Sequence, residues 1–462
     1  MKRTLTLLFL LSVALTPAAL AQHKHDSGRP APADSLDQPV LPAGTDSVAH
    51  ASAPASLHLH ALGLLPSLSM TRDGSGTSWL PDATPMQAYH TGRGVWSFMV
   101  HGTAFLRYNA QDLFERGSRG GRMVDMPNWV MLAAHRTFSS RSKLTLRGMV
   151  TLDPLTVGAN GYPLLFQTGE FYENQPLIDR QHPHDLFAEL ALVYALSFSE
   201  EASVFIYAAL PGEPALGPSA FMHRPSAQHN PNAPLGHHWQ DATHIVFGVT
   251  TVGVRYGIFK LDGSLFTGRE PDDERFGFDR PRFDSYSARI SVNPIAHLSF
   301  QVSRGSIRKP ELLEPGIDKI RTTASALFVV PVAGKGVWSS AVIWGMNQPR
   351  SEHGGGSHGR GPQHAFLLET DVTLGKQAVY SRAEWVQKSP EELGFEEGID
   401  RERLTVGALT LGTARNVLST GGVLFTLGVQ GTVYHVPEAL RFVYGAQPVS
   451  GQVYLQLSPD LH

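Results

Sequence analysis

The chain has 462 residues, 38 Lys and Arg against 41 Asp and Glu, a formal net charge of -3 and no cysteine. A charge so near neutral argues against a nucleic-acid partner, and the missing cysteines exclude disulfides, thiolate metal centres and a lipidated N-terminal Cys. Charged residues make up only 17% of the chain while glycine numbers 45, and Lys/Glu-rich helical runs are missing, so the composition favours a β protein.

Residues 1 to 21 have the form of a secretory signal peptide: Lys2 and Arg3 precede an apolar run from Leu5 to Leu15, and Ala19, Leu20 and Ala21 offer a cleavage site before Gln22. That run is too short to span a bilayer, and no later stretch approaches the about 20 consecutive apolar residues a membrane helix requires. Residues 22 to 56, rich in Ala, Pro, Ser, Asp and His and without an aromatic, are expected to form a disordered tail. Residues 57 to 96 carry Trp79, Tyr89 and Trp96 with Leu57, Leu62, Leu64 and Leu65, which points to an ordered segment able to pack in the mouth of a barrel as a plug.

From 97 to 462 the pattern is that of a barrel. Within 142 to 153, Leu144, Leu146, Val150 and Leu152 alternate with Lys143, Thr145, Arg147, Met149, Thr151 and Asp153, so one face of an extended strand is apolar and the other polar. Strands are predicted at 97–109, 128–138, 142–157, 184–198, 202–211, 244–257, 259–270, 283–294, 298–307, 320–332, 337–348, 364–375, 377–389, 404–416, 422–435 and 449–458. Their connections alternate between short and long. The expectation is an all-β, transmembrane antiparallel β-barrel of about 16 strands in the outer membrane of a Gram-negative-type bacterium, with a periplasmic N-terminus. Its implied partners are outer-membrane lipid and the barrel-assembly machinery, although the chain ends on Leu457-Ser458-Pro459-Asp460-Leu461-His462 rather than on a terminal aromatic.

Alternation along 97–109 turns Phe98, Val100, Leu106 and Tyr108 to lipid and Met99, His101 and Arg107 to the lumen. The next strands add Met131, His135, Arg147, Met149 and Asp153, and Met86 and His90 lie just before them. Thioether and imidazole together suit Cu(I) or Ag(I) when thiolates are absent; thioethers that merely fill gaps are the plainer reading. The long connections hold a second concentration, with His182, His184 and Asp185 in one and His223, His237, His238, Asp241 and His244 in another. Nitrogen and oxygen donors of this density suit Cu(II), Zn(II) or Ni(II), yet no zinc-finger spacing is present, and folded loops held by hydrogen bonds give the same composition. His353, His358 and His364 lie in or beside a Gly-rich stretch, and His23 and His25 near the N-terminus.

Glu369, Asp371, Arg382 and Glu384 are expected on the lumen face as cross-strand pairs or as the charged lining of a channel. The run Arg269 to Arg275 is expected to be a solvated loop. His182, His184 and Asp185 with Ser219 or Ser226 offer base, partner and nucleophile for a rim hydrolase, but no nucleophile elbow accompanies them.

Four motifs resemble a family of uncharacterised bacterial outer-membrane proteins: Gly76 to Met86 (GTSWLPDATPM), Asp179 to Asp185 (DRQHPHD), Phe221 to Ser226 (FMHRPS) and Gly236 to His244 (GHHWQDATH). The resemblance spans residues 70 to 390 and implies the fold, with no activity attached. Passage or binding of small solutes follows as the expected function, with transition-metal ions, copper first, as the specific cargo; a general diffusion porin and a rim hydrolase are the alternatives.

Overall fold

The computed structural model describes residues 63–460 apart from 313, 333, 335, 352–360, 396–398 and 400–402; the segments expected to be a signal peptide and a tail, and His353 and His358, fall outside them. Among the described residues no helix is long and apolar enough to cross a membrane. The chain instead builds a ring of strands: β1 (Trp96–Gln111), β2 (Asn128–Ser139), β3 (Ser142–Val150), β4 (Phe187–Ser197), β5 (Ala202–Ala209), β6 (Val249–Tyr256), β7 (Phe259–Phe266) and β8 (Ser285–Ile295). The ring continues through β9 (Leu298–Ile307), β10 (Ile317–Val332), β11 (Gly336–Ser351), β12 (Gln363–Leu374), β13 (Gln377–Lys388), β14 (Leu404–Thr420), β15 (Val423–His435) and β16 (Val449–Pro459). Each strand pairs antiparallel with its sequence neighbour. The ring closes at β1, whose first half pairs with β2 (Val100↔Leu132) and whose second half pairs with β16 (Leu106↔Leu455).

All sixteen predicted strands form, because the period of two that a half-buried strand imposes is readable in sequence. Several predicted ends move, among them that of the seventh strand, which stops at Phe266 instead of 270, and that of the fourteenth, which runs on to Thr420. The third strand stops at Val150 instead of 157, since Pro154 has no N–H for the ladder, and Asp153–Thr156 forms one helical turn. The fourth and sixth strands begin at Phe187 and Val249, which leaves His184 and His244 in the preceding loops.

Outward residues such as Leu106, Leu132, Leu146, Leu192, Val252, Ile290, Val302, Leu368 and Val429 are exposed, while their neighbours in sequence are buried. In a closed antiparallel ring with no free edge, such an apolar outer face is the lipid face of an outer-membrane barrel. Short turns join alternate strand pairs: the Gly375 and Gly421–Gly422 turns adopt φ of 58°, 59° and 79°, the left-handed conformation that matches the twist of a two-residue hairpin. Short turns face the periplasm in this class, so the long connections are external.

The two longest connections, 151–186 and 210–248, fold inward. Residues 211–222 and 230–249 are almost continuously buried. The second connection is tied to the wall on opposite sides: Arg382 Nη1 donates to the Asn232 carbonyl (2.8 Å), Arg321 Nη2 to the His238 carbonyl (2.6 Å), Arg289 Nη1 to the Gly217 carbonyl (3.1 Å) and Arg107 Nη1 to the Pro231 carbonyl (3.0 Å). Residues 63–88 also meet the wall from inside. Lys260 Nζ donates to the Thr77 carbonyl, Arg147 Nη2 to the Gly76 carbonyl (2.6 Å), Asn293 Nδ2 to the Leu80 carbonyl (2.8 Å), and Thr77 Oγ1 to Asp262 (2.7 Å).

Candidate functional site

Five imidazoles meet where the two inward connections touch. The first connection supplies His182 and His184, and the second supplies His237 and His238 on a four-residue helix (His237–Gln240) and His244 on the turn that follows. Consecutive ring centroids lie 5.7 Å apart for His182 and His184, 5.3 Å for His184 and His244, 5.1 Å for His244 and His237, and 5.3 Å for His237 and His238. All five are buried. Gly169 makes room for this packing: at φ +115°, a Cβ there would stand 2.7 Å from the His238 ring.

Most of these rings are held from behind through Nδ1. His184 Nδ1 lies 2.9 Å from Asp153 Oδ2, His237 Nδ1 2.6 Å from Asp241 Oδ1, His244 Nδ1 2.9 Å from the Asp241 carbonyl, and His182 Nδ1 3.0 Å from the Pro183 carbonyl. An acceptor on Nδ1 leaves Nε2 as the ring nitrogen free to take another partner. Nε2 of His182, His184, His238 and His244 is buried without a hydrogen-bond partner. At His182, His184 and His244 a carboxylate or carbonyl stands behind the ring while Nε2 has no partner, the arrangement that orients metal-ligating histidines.

Two glutamates complete the cluster. Glu170 Oε1 stands 3.2 Å from His182 Nε2, and one ligand atom from each of Glu170, His182 and His238 lies within 4.8 Å of the others. Glu270 Oε1 is 3.5 Å from His238 Nδ1. Burial pushes the Glu170 carboxyl well up, with Glu270 nearby adding to it, and burial pushes Glu270 up to about 7 against the opposing pull of Lys319 and Arg321. Burial also holds His182, His238 and His244 well below the usual imidazole range, with Arg275 acting on His182 and His237 acting on His238 and His244. Neutral imidazoles are the metal-binding form.

His182, His184, His237, His238 and His244, which imidazole density groups in the sequence, stand together, while the acids grouped with them take other places. Asp241 stands behind His237: burial opposes its charge, yet His237 and Arg224 hold it well below the usual carboxylate range. Asp185 pairs with Arg275 at 3.5 Å, and burial pushes its carboxyl up to about 7. The predicted solvated run 269–275 is in part buried: Glu270 faces His238, and Arg275 reaches Glu170 (3.8 Å) as well as Asp185. Asp153, expected as strand lining, instead orients His184. Glu170, Glu270 and Arg275 carried no periodic signal, and their loops fold inward only because the barrel encloses them.

The lumen charges hold the inward connection to the wall. Glu369 and Arg382 are directly opposed on β12 and β13 and bridge at 3.1 Å, which bears out the cross-strand reading. Glu369 also accepts from Arg224 Nε (2.6 Å) and Ser226 Oγ (2.9 Å), while Arg224 Nη1 reaches Asp241 (2.7 Å). Asp371 meets His229 Nδ1 (2.6 Å), Glu384 accepts from the Leu235 N–H (2.6 Å), Arg107 pairs with Asp125 (2.5 Å) and Arg147 with Glu189 (2.6 Å). No hydrolase triad forms from the residues considered: Ser226 donates to Glu369, Ser219 meets Ser75, and the partner of His184 is Asp153 rather than Asp185.

The Met and His wall is assembled as the alternation requires. Across β1, β2 and β3, His101 is opposite Met131 and Met131 is opposite Met149, while Met99 is buried two residues before His101 on β1, opposite Ala133. Met70 and the partly buried Met86 and Met222, from outside the three strands, pack on the same group. His135 is buried with Nδ1 2.8 Å from Thr145 Oγ1. His90, opposite Met99 on the short strand Tyr89–Arg93, is exposed and stands apart from the buried group. His223 leaves the loop cluster for this wall: its ring lies 4.6 Å from Trp129 and 5.9 Å from His101, and burial with His101 alongside holds it well below the usual imidazole range. His364 stacks on Trp344 at 6.0 Å, away from both groups.

A closed sixteen-strand ring with an apolar exterior and a polar, occupied interior defines an outer-membrane β-barrel. No family model and no curated protein sequence matches the chain. Among solved structures it is similar to OmpF of Salmonella typhi in complex with daunomycin, at 7% identity and a TM-score of 0.47, covering 80% of this chain and 99% of that one. It is also similar to an anion-selective porin from Comamonas acidovorans (10%, TM-score 0.43, 79% and 99% covered) and to the outer membrane channel DcaP of Acinetobacter baumannii (8%, TM-score 0.41, 81% and 99% covered). Likeness this remote carries no argument about activity, and the class rests on the strand ring itself.

Proposed function

We propose that this barrel binds a borderline transition-metal ion, Cu(II) or Zn(II) before others, inside its lumen at His182, His184, His237, His238 and His244 with Glu170. The observation that carries the reading is the set of buried imidazoles whose Nδ1 atoms face acceptors and whose Nε2 atoms have no partner. A buried polar atom without a partner costs about 1–3 kcal/mol, and a bound cation removes that cost at several atoms together. Nitrogen and oxygen donors select such ions over soft monovalent ones.

Residues 63–88 and the connection 210–248 act as a plug in this reading, so the protein is a metal-binding barrel rather than an open diffusion pore. Calorimetric titration of the detergent-folded protein with Cu(II) and Zn(II) tests it. Binding that disappears in His182→Ala/His244→Ala is expected; equal heats from that variant and the wild type would reject the site. In a planar bilayer the wild type is expected to pass no steady current.

A further inference from the structure

Six of the ten methionines in the chain (Met70, Met86, Met99, Met131, Met149 and Met222) converge on one buried group. They come from four separate stretches of sequence: the N-terminal segment, β1, the β2–β3 hairpin and the inward connection. Thioethers used only to fill a core are expected to leave no space between them. Here Met70, Met86, Met99, Met131 and Met222, with His101, His135 and His223, line a cavity of about 150 Å³.

Register brings donors together from neighbouring strands. His101, Met131 and Met149 stand in one row across β1, β2 and β3, and directly opposed side chains have Cβ atoms about 5 Å apart. Flexible thioethers on such a row can close on one ion. His135 adds a buried Nε2 with no hydrogen-bond partner. No carboxylate lines the cavity except Asp73, whose Oδ2 already accepts from the Leu64 N–H. Thioether and neutral imidazole without thiolate or available carboxylate is a donor set for a soft monovalent ion and a poor one for Zn(II).

A void of about 10 Å³ lined by His244, His223, Met131 and Met149 lies between this cavity and the five-histidine cluster. His244 belongs to the cluster and His223 to the Met wall, so the two donor sets follow one another inside the lumen. The cavity wall also includes Gln87, Gln456 and Ser458, and Ser458 lies opposite Leu424 beside the short Gly421–Gly422 turn, on the periplasmic side.

We propose that this methionine-histidine cavity is a second metal site, for Cu(I) or Ag(I), distinct from the histidine cluster and set on its periplasmic side. The site needs no change of oxidation state, because the ion enters and leaves as a monovalent cation. The proposal stands on the cavity and its donors and does not depend on the histidine cluster binding metal.

The test uses Ag(I), supplied as silver nitrate in chloride-free buffer, on the full folded barrel, with silver X-ray absorption to identify the neighbours. One silver per chain with sulfur neighbours is expected. Met99→Leu/Met131→Leu/Met149→Leu, near-isosteric changes, is expected to lose that silver, and His182→Ala/His237→Ala is expected to keep it. Failure of the wild type to take silver, a bound silver with nitrogen neighbours only, or silver lost from the histidine variant but retained by the methionine variant would each overturn the proposal. Should the triple variant not fold, the sulfur count of the wild type decides alone.

Discussion

Replacing Arg224 by Ala tests whether the inward connection is held by its ion pairs. The Arg224 side chain is fully buried and bridges Asp241 (2.7 Å) and Glu369 (2.6 Å), one on the connection and one on β12. Removing one member of a buried pair costs about 3–5 kcal/mol, because the partner is left charged in a dry site. Here each acid keeps another partner: Glu369 retains Arg382 at 3.1 Å and Ser226 at 2.9 Å, and Asp241 retains His237 at 2.6 Å. The lower end, about 3 kcal/mol, is therefore expected, and at about 1.4 kcal/mol per tenfold it multiplies local opening by roughly a hundred. Hydrogen exchange read by mass spectrometry should show peptides within 217–246 exchanging roughly a hundredfold faster, while peptides from β6 to β9 keep wild-type protection. Unchanged protection in 217–246 would show that these ion pairs do not hold the connection, and so would equal acceleration in the strands.

Three further outcomes follow from the same geometry. Asp153→Asn removes the charged partner behind His184 while keeping its size, so affinity for the ion at the histidine cluster should fall by about 10–100-fold in calorimetric titration with the fold unchanged. At Gly345 on β11 a Cβ would stand 2.3 Å from the Trp239 carbonyl; Gly345→Ala should displace the 237–240 turn and reduce metal content, while the barrel still migrates as a folded species on an unheated gel. Deleting 214–246 in favour of a short Gly-Ser linker should turn a silent barrel into one with a steady current in a planar bilayer.

The ring of strands was legible because a lipid-facing barrel writes its geometry into every second residue. Leu144, Leu146 and Val150 against Lys143, Thr145, Arg147 and Met149 leave only one register, and the face assignments for Met99, Met131, His135, Glu369 and Arg382 followed from the same period. The interior of the inward connections was not legible in that way. A loop has no period, so nothing in the run Arg269 to Arg275 separates a buried Glu270 from a solvated one, and Glu170 carries no mark at all. Imidazole density marked the cluster, but it could not separate the rings from the acids that stand behind them or elsewhere. Asp185 and Asp241 were grouped with the histidines beside them in sequence, whereas in space Asp185 serves Arg275 and Asp241 stands behind His237. His223 crossed from one group to the other because the turn Phe221–His223 points it at Trp129.

The proposed function requires an ion held by several imidazoles in the lumen. Zinc-edge X-ray absorption of the full barrel, loaded with Zn(II) and freed of excess by gel filtration, measures this directly. Retained zinc with a nitrogen and oxygen shell and the multiple-scattering pattern of at least three imidazoles is the result predicted, together with its loss in His182→Ala/His237→Ala/His244→Ala. Zinc that washes out of the wild type, or a shell no richer in imidazole than that of the triple variant, would contradict it.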